Sequence, residues 1–218
     1  MHDYFLGSDM FGIHDLTLFI ISGLLLNIMP GPDSLLIMTR SATQGWRAGV
    51  AAAIGIGSGT MVHVLAAAIG LSAILATSAI AFMVVKYIGA AYIITMAIGL
   101  LRSKARQPDA ILVPPLPYRK IYVQGLLTNV LNPKVAIFFL AFVPQFIDAA
   151  APNKALAFVV LGTIFNVNGM LWCVSLALFT AFASARLKVS PLVSTWLNRV
   201  TGALFIWLGI KLALSKQS

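Results

Sequence analysis

From Leu16 to Leu214 the chain is a succession of apolar runs, each near the length that crosses a bilayer and set off by short basic or polar segments. A spanning helix needs about 20 apolar residues, and in hydrocarbon only helices and closed barrels satisfy their own backbone polar groups. The runs fall at roughly 16–39, 49–75, 79–101, 121–146, 155–183 and 196–214. Of 218 residues, 60% are hydrophobic and only 10% charged, against about a quarter charged in soluble domains. The expected fold class is all-α and integral to the membrane, with the lipid bilayer as its surroundings. Fifteen Lys and Arg give a formal charge of +9. In a soluble protein that would suggest nucleic acid. Here it is the ordinary excess of basic residues in cytoplasmic loops, and no nucleic-acid partner is expected.

The second and third runs are divided only by Ala76-Thr-Ser-Ala79, and merging them would leave five spans. Loop charge decides between the counts. With six spans, one side holds Arg40, Arg47, Arg102, Lys104, Arg106, Arg119, Lys120, Arg186, Lys188 and Arg199. The other holds Lys154 and Lys216, with Lys86 and Lys211 close enough to snorkel there, plus Asp3, Asp9, Asp15 and Asp148. The positive-inside rule makes the first side cytoplasmic, so both termini are predicted periplasmic. The acidic start lacks the basic n-region of a cleaved signal peptide. The single Cys173 excludes an intrachain disulfide and makes thiolate-cluster chemistry a poor expectation.

Two stretches about a hundred residues apart read almost alike. One is Gly23-Leu-Leu-Leu-Asn27-Ile-Met-Pro30-Gly31-Pro32-Asp33, and the other is Gly125-Leu-Leu-Thr-Asn129-Val-Leu-Asn132-Pro133-Lys134. Each is an apolar helix broken by proline with one charge just past the break, an acid in the first and a base in the second. Gly59-Thr-Met-Val-His63 resembles Gly162-Thr-Ile-Phe-Asn166, and Lys86-Tyr-Ile-Gly-Ala-Ala-Tyr-Ile93 resembles Arg199-Val-Thr-Gly-Ala-Leu-Phe-Ile206. Three helices per repeat is an odd number, so the second copy enters from the opposite side and the repeats are inverted. The predicted organisation is an N-terminal extension 1–15, a first repeat 16–101, a basic cytoplasmic loop 102–120 and a second repeat 121–214, all in one membrane domain. Many secondary transporters are built this way, with broken helices meeting around the substrate.

Proline removes a backbone donor and clashes with the preceding turn, so helices 1 and 4 are expected to break at Pro30-Gly31-Pro32 and at Asn132-Pro133. Unpaired backbone at membrane depth is tolerated only where it is buried in protein or lines a wet cavity. The helix that follows each break offers free N–H groups and a positive dipole end, suited to a carboxylate. Asp33 and Lys134 would each cost about 2.5–3.5 kcal/mol at a helix centre. They read either as a static ion pair between the halves or as a zwitterion site. In the second reading Lys134 and the helix ends take the carboxylate, and Asp33 takes the ammonium or a coupling proton. Asn27, Asn129, Asn166 and Asn168 would satisfy freed backbone or line the cavity. His63 is a proton relay or simply a hydrogen-bonded histidine. Gly55-x-x-x-Gly59 reads as close helix packing, within the monomer or across a homodimer.

Other classes fit less well. A hydrolase needs a nucleophile beside a base, but Ser58 and His63 point about 140° apart on one helix. A metal-cation exporter would use Asp33, His63 and the asparagines, yet metal sites gather several acids, histidines or cysteines. A structural role explains neither buried charge. No metal and no cofactor is expected.

With these residues in view, the chain resembles the lysine exporter (LysE)/RhtB family of bacterial amino-acid exporters. The resemblance is carried by Pro30-Gly-Pro-Asp33-Ser-Leu-Leu, Gly45-Trp-Arg-Ala-Gly49 and the Gly55…Val62-His63…Gly70-Leu71 spacing. Lys86-Tyr-Ile-Gly-Ala-Ala-Tyr92, Asn129-Val-Leu-Asn-Pro-Lys134 with Phe138-Phe139, and Gly202-Ala-Leu-Phe add to it. It runs from about residue 15 to residue 212. It implies an inner-membrane protein that exports amino acids or close derivatives against protons, and it marks Asp33 and Lys134 as the motif charges. Ile93-Ile-Thr-Met-Ala-Ile after Tyr92 and the acidic extension depart from the family's pattern.

Overall fold

The structure is a computed structural model that describes residues 11–71, 114–148 and 150–184, with single helical positions between 80 and 102 and between 203 and 210. Most of the third and sixth predicted spans, the third repeat pair and the first part of the basic loop lie outside the described residues. Among the described residues all regular structure is helical, apart from one isolated bridge between Ile13 and Ile147. The elements are α1 (Leu16–Ile28), α2 (Pro32–Gln44), α3 (Trp46–Ala66), α4 (Tyr118–Val130), α5 (Pro133–Ile137) and α6 (Lys154–Ser184). A wide π turn, Ala67–Leu71, extends α3. A second π turn, Phe138–Phe142, and a tight turn, Val143–Phe146, extend α5.

α3 with its π turn and α6 are each long and apolar enough to cross a membrane. The other two spans are bent pairs. α1 and α2 meet at 54°, and α4 meets the α5 segment at 47°. Both breaks come at the predicted prolines. Pro32 and Pro133 each open the second half at the first helical position, where a missing N–H costs nothing.

The first bent span is longer than its apolar run implies. α2 continues to Gln44 rather than ending near residue 39, and Gly45, at φ 82°, makes the turn into α3 at Trp46. Arg40 is therefore a buried helical residue, 4% exposed, and not a loop charge. At the other end α4 starts at Tyr118, so Arg119 and Lys120 belong to its first turn.

The two bent spans run antiparallel. His14 N donates to Phe146 O (3.1 Å) and Asp148 N to Gly12 O (2.8 Å), joining the start of the first span to the end of the second. On the opposite side Gln44 Nε2 donates to Leu116 O and Leu116 N donates to Gln44 Oε1, both at 3.0 Å. This clasp joins the end of the first to the start of the second.

α3 packs most intimately on α4. A Cβ on Gly55 would meet the Tyr122 carbonyl, one on Gly125 would meet the Ala52 carbonyl, and one on Gly59 would lie 2.8 Å from Asn129 Cβ. The Gly55-x-x-x-Gly59 motif thus brings two backbones together inside the monomer. Between the break and the Ile13 end, Phe138 stands at the hub of an aromatic cluster, 4.7 Å from Phe165 and 5.2 Å from Phe142 between ring centres. Phe19 and Phe146 complete it at 5.2 Å, edge to face.

Replacing Gly125 by valine should force α3 and α4 apart and cost about 1–3 kcal/mol or more. Gly70, with nothing within 4 Å of an added Cβ, serves as control through Gly70→Ala. Thermal unfolding in detergent should show a clear loss for the first and little for the second; equal shifts would contradict the packing described.

Candidate functional site: two proline breaks around a polar cavity

An α-helical N–H bonds the carbonyl four residues earlier, so a proline strands that carbonyl. Pro30 strands the Leu26 carbonyl, which finds its partner from another span. Pro133 removes the usual donor of Asn129 O, which accepts instead from Asn132 N at 2.9 Å and takes a second contact from another span. Lys134 Nζ donates to Leu26 O at 3.0 Å and to Met29 O at 3.1 Å. His63 Nε2 lies 3.0 Å from Asn129 O, and since a carbonyl only accepts, His63 carries its proton on Nε2 here. Its ring stacks on Phe139, 6.4 Å away and within 5° of parallel.

Asn132 caps α5, its Oδ1 accepting from Lys134 N at 3.0 Å. Its Nδ2 donates to Asp33 Oδ2 at 3.0 Å, beside Asn129 Nδ2 at 2.9 Å. Asp33 occupies the first turn of α2, where the helix dipole favours an anion. Asp33 is 9% exposed and Lys134 8%, yet they form no direct ion pair. The ion pairs among the described residues are those of His14 with Asp15 and Asp148. Of the two readings, the static ion pair is absent and two separate networks stand in its place: the ammonium turns to the Leu26 and Met29 carbonyls and the carboxylate to two amides. One oxygen, Asp33 Oδ1, is buried with no partner, and so is Asn27 Nδ2.

Between the breaks lies a cavity of about 20 Å³, room for a water or two. Asp33, Lys134, Asn27, Asn129 and Asn166 line it, with Leu26, Ile56, Val135, Phe165 and Met170 as its apolar wall. The charges and three of the predicted asparagines therefore converge. Pro30, Gly31, Pro32, Asn132 and Pro133 form the breaks beside the cavity. His63 stands one contact away, behind Asn129, and Asn168 is not part of the lining.

Arg40 was not legible as a structural residue, because it looks like one more basic loop charge. Its Nη1 donates to Gln44 Oε1 and Pro114 O, both at 3.3 Å, and its Nη2 to Gln124 Oε1 at 3.0 Å. With the Gln44–Leu116 clasp it ties α2 to α4 and to the chain entering α4. The available signal was the pair of glutamines, Gln44 at the end of α2 and Gln124 in the middle of α4.

A sequence profile of LysE type translocators matches residues 24–216. The chain belongs to that family of membrane translocators, which is not an enzyme class. It is 31% identical over 217 residues to an uncharacterized membrane protein of Pseudomonas aeruginosa, covering 95% of this chain and 98% of the relative. It is 28% identical over 212 residues to an uncharacterized membrane protein of Bacillus subtilis, covering 93% and 100%. It is 26% identical over 207 residues to the leucine efflux protein of Salmonella typhimurium, covering 93% and 96%. No solved structure matches.

Asn129 O is the acceptor that holds His63 in place. His63→Leu removes one of the two donors to that carbonyl and should cost about 0.5–1.5 kcal/mol. His63→Gln keeps an N–H near the Nε2 position and should recover most of that loss in thermal unfolding. If the two variants are equally destabilised, the carbonyl is not what holds His63 in place.

Proposed function

We propose that this translocator is a secondary exporter of amino acids or close derivatives in the bacterial inner membrane, binding a zwitterion between its two broken helices and exchanging it for protons. The single observation that carries this reading is Asp33: an acid at a helix N-terminus that lines a polar cavity, held by two amides on one oxygen, with the other oxygen buried and without a partner. That unpartnered oxygen can take a proton or an ammonium, and not both. Mutually exclusive binding is the coupling an antiporter needs. Protonation from the outer side expels the cargo's ammonium, and loss of the proton to the cytoplasm restores the site.

The architecture proposed is six spans in two inverted three-helix repeats. The antiparallel bent spans and their matched prolines support it. The basic loops put the Arg40–Gln44 clasp at the cytoplasmic end and both termini outside. On that orientation the clasp closes the inner path and the phenylalanine cluster the outer one, which makes this an occluded form. Admitting cargo requires the halves of the bent spans to part, with Pro30–Pro32 and Pro133 as hinges. The relatives named leucine efflux proteins support an amino acid as cargo. A metal cation fits less well, since Asp33 is held by amide donors and shares its cavity with an ammonium.

Asp33→Asn should abolish export while the protein still inserts and folds. Efflux of a radiolabelled amino acid from loaded cells reads this directly. Wild-type efflux by the variant removes Asp33 from the coupling.

A further inference from the structure

α2 and α4 face each other along an antiparallel seam of polar rungs. At the break Asn129 and Asn132 donate to Asp33, further along Arg40 Nη2 donates to Gln124 Oε1, and at the end Gln44 clasps Leu116. Asp33, Arg40 and Gln44 share one face of α2, with Arg40 two turns, about 10 Å, beyond Asp33. Arg40 is the anomaly among them. Its guanidinium is buried, its acceptors (the Gln44 and Gln124 amides and the Pro114 carbonyl) are all neutral, and its Nε has no partner. Resting on the exporter reading and orientation above, we infer that Arg40 is a carboxylate-recognising latch at the cytoplasmic entrance. The cargo's carboxylate takes the Nε–Nη2 edge of the guanidinium, displaces Gln124 and so releases α2 from α4.

A buried cation without a counter-charge is costly, and neutral acceptors offset that cost only in part. Among the described residues no carboxylate pairs with Arg40. Asp33, the acid on the same helix face, is engaged by amides from the other side of the seam. A carboxylate matches a guanidinium with two parallel, charge-assisted bonds, each roughly twice as strong as a neutral one. Nε and Nη2 lie on one edge of the planar fork, and of the two only Nη2 is engaged, on Gln124. An anion bound there displaces one neutral hydrogen bond, while Nη1 keeps Gln44 and Pro114. The bond displaced is the one that joins α2 to the middle of α4. Gln124 is an exposed residue, so its amide can turn aside.

The same geometry separates this station from the site at the break. An α-amino acid carries both charges on one carbon, so it cannot reach Arg40 and Asp33 together across about 10 Å. The carboxylate is read first, at the entrance, and the ammonium afterwards, at Asp33. Amines and cations without a carboxylate do not release the latch, which makes Arg40 a specificity-determining residue outside the cavity.

Ile37 stands between the two levels of α2 and is fully buried, so a thiol placed there reports opening of the seam. Full-length protein with Cys173→Ser and Ile37→Cys, in lipid nanodiscs, is labelled with a water-soluble maleimide in the presence of millimolar leucine, isovalerate or leucinamide. Isovalerate has the carboxylate without the ammonium, and leucinamide the reverse. Leucine and isovalerate should speed labelling at least about threefold, and leucinamide should not. Arg40→Gln should bring both accelerations close to unity. Gln124→Ala should raise labelling without any added anion toward the isovalerate level, which keeps the test alive if Arg40→Gln does not fold. No isovalerate effect with Arg40 intact, or one that survives Arg40→Gln, overturns the inference. So does equal acceleration by leucinamide. An effect that appears only after Asp109→Asn also overturns it, because the loop acid would then already hold the guanidinium. Uptake of radiolabelled amino acids into everted vesicles, measured alongside, separates the two readings. Uptake without a carboxylate effect removes the latch alone; a carboxylate effect without uptake of any amino acid removes the exporter reading and leaves Arg40 as an anion site.

Discussion

A proline inside a spanning helix removes the donor of the carbonyl four residues before it, and the centre of this protein is built around how its two breaks are repaired. In hydrocarbon an unsatisfied backbone group costs several kcal/mol, so each carbonyl needs another donor. Lys134 of α5 supplies it for Leu26, while Asn129 O accepts from Asn132 N within its own break and from His63 of α3. Because Lys134 and His63 each reach across from another element, satisfying the backbone also ties the spans together. Lys134 is a buried cation for the same reason: its ammonium serves carbonyls first. Asp33, denied a direct ion pair, takes amides from Asn129 and Asn132 and retains one open oxygen. The site's chemistry follows from how the break is repaired.

Rigid and mobile parts are separated along the same lines. α3 and α4 approach backbone to backbone through Gly55, Gly59 and Gly125, a contact that leaves no room for adjustment. The bent spans instead meet at their two ends: through Arg40, Gln44 and Gln124 side chains at one, and through stacked phenylalanines with the short Ile13–Ile147 backbone bridge at the other. Side-chain hydrogen bonds and ring contacts can break and reform one end at a time. A rigid α3–α4 unit with two separable closures is the mechanical pattern that alternating access requires.

The sequence made the breaks legible because proline's effect on a helix is local and unconditional. The matched breaks also pointed Asp33, Lys134 and the asparagines at 27, 129, 166 and 168 toward one place, and all of these but Asn168 line the cavity. The sequence did not show the partners. Composition cannot tell whether a buried Lys faces a carboxylate or a carbonyl, since both satisfy it and three-dimensional register decides. Arg40 escaped for a related reason. Hydropathy ends a span at the first charge, whereas α2 continues to Gln44 because Arg40 has three neutral acceptors waiting. For His63, relay and hydrogen-bonded residue are both compatible with the sequence, and the partner of the second, Asn129 O, is set by how α3 and α4 pack.

The central claim is that the open oxygen of Asp33 couples an outward-moving amino acid to an inward-moving proton. Everted membrane vesicles test it most directly, because export there becomes uptake. With the vesicle interior made acidic, wild-type protein should drive concentrative uptake of its amino-acid cargo, and nigericin should collapse it to the level of empty membranes. Uptake that is unchanged when the proton gradient is removed, or absent with the gradient in place, would contradict the account.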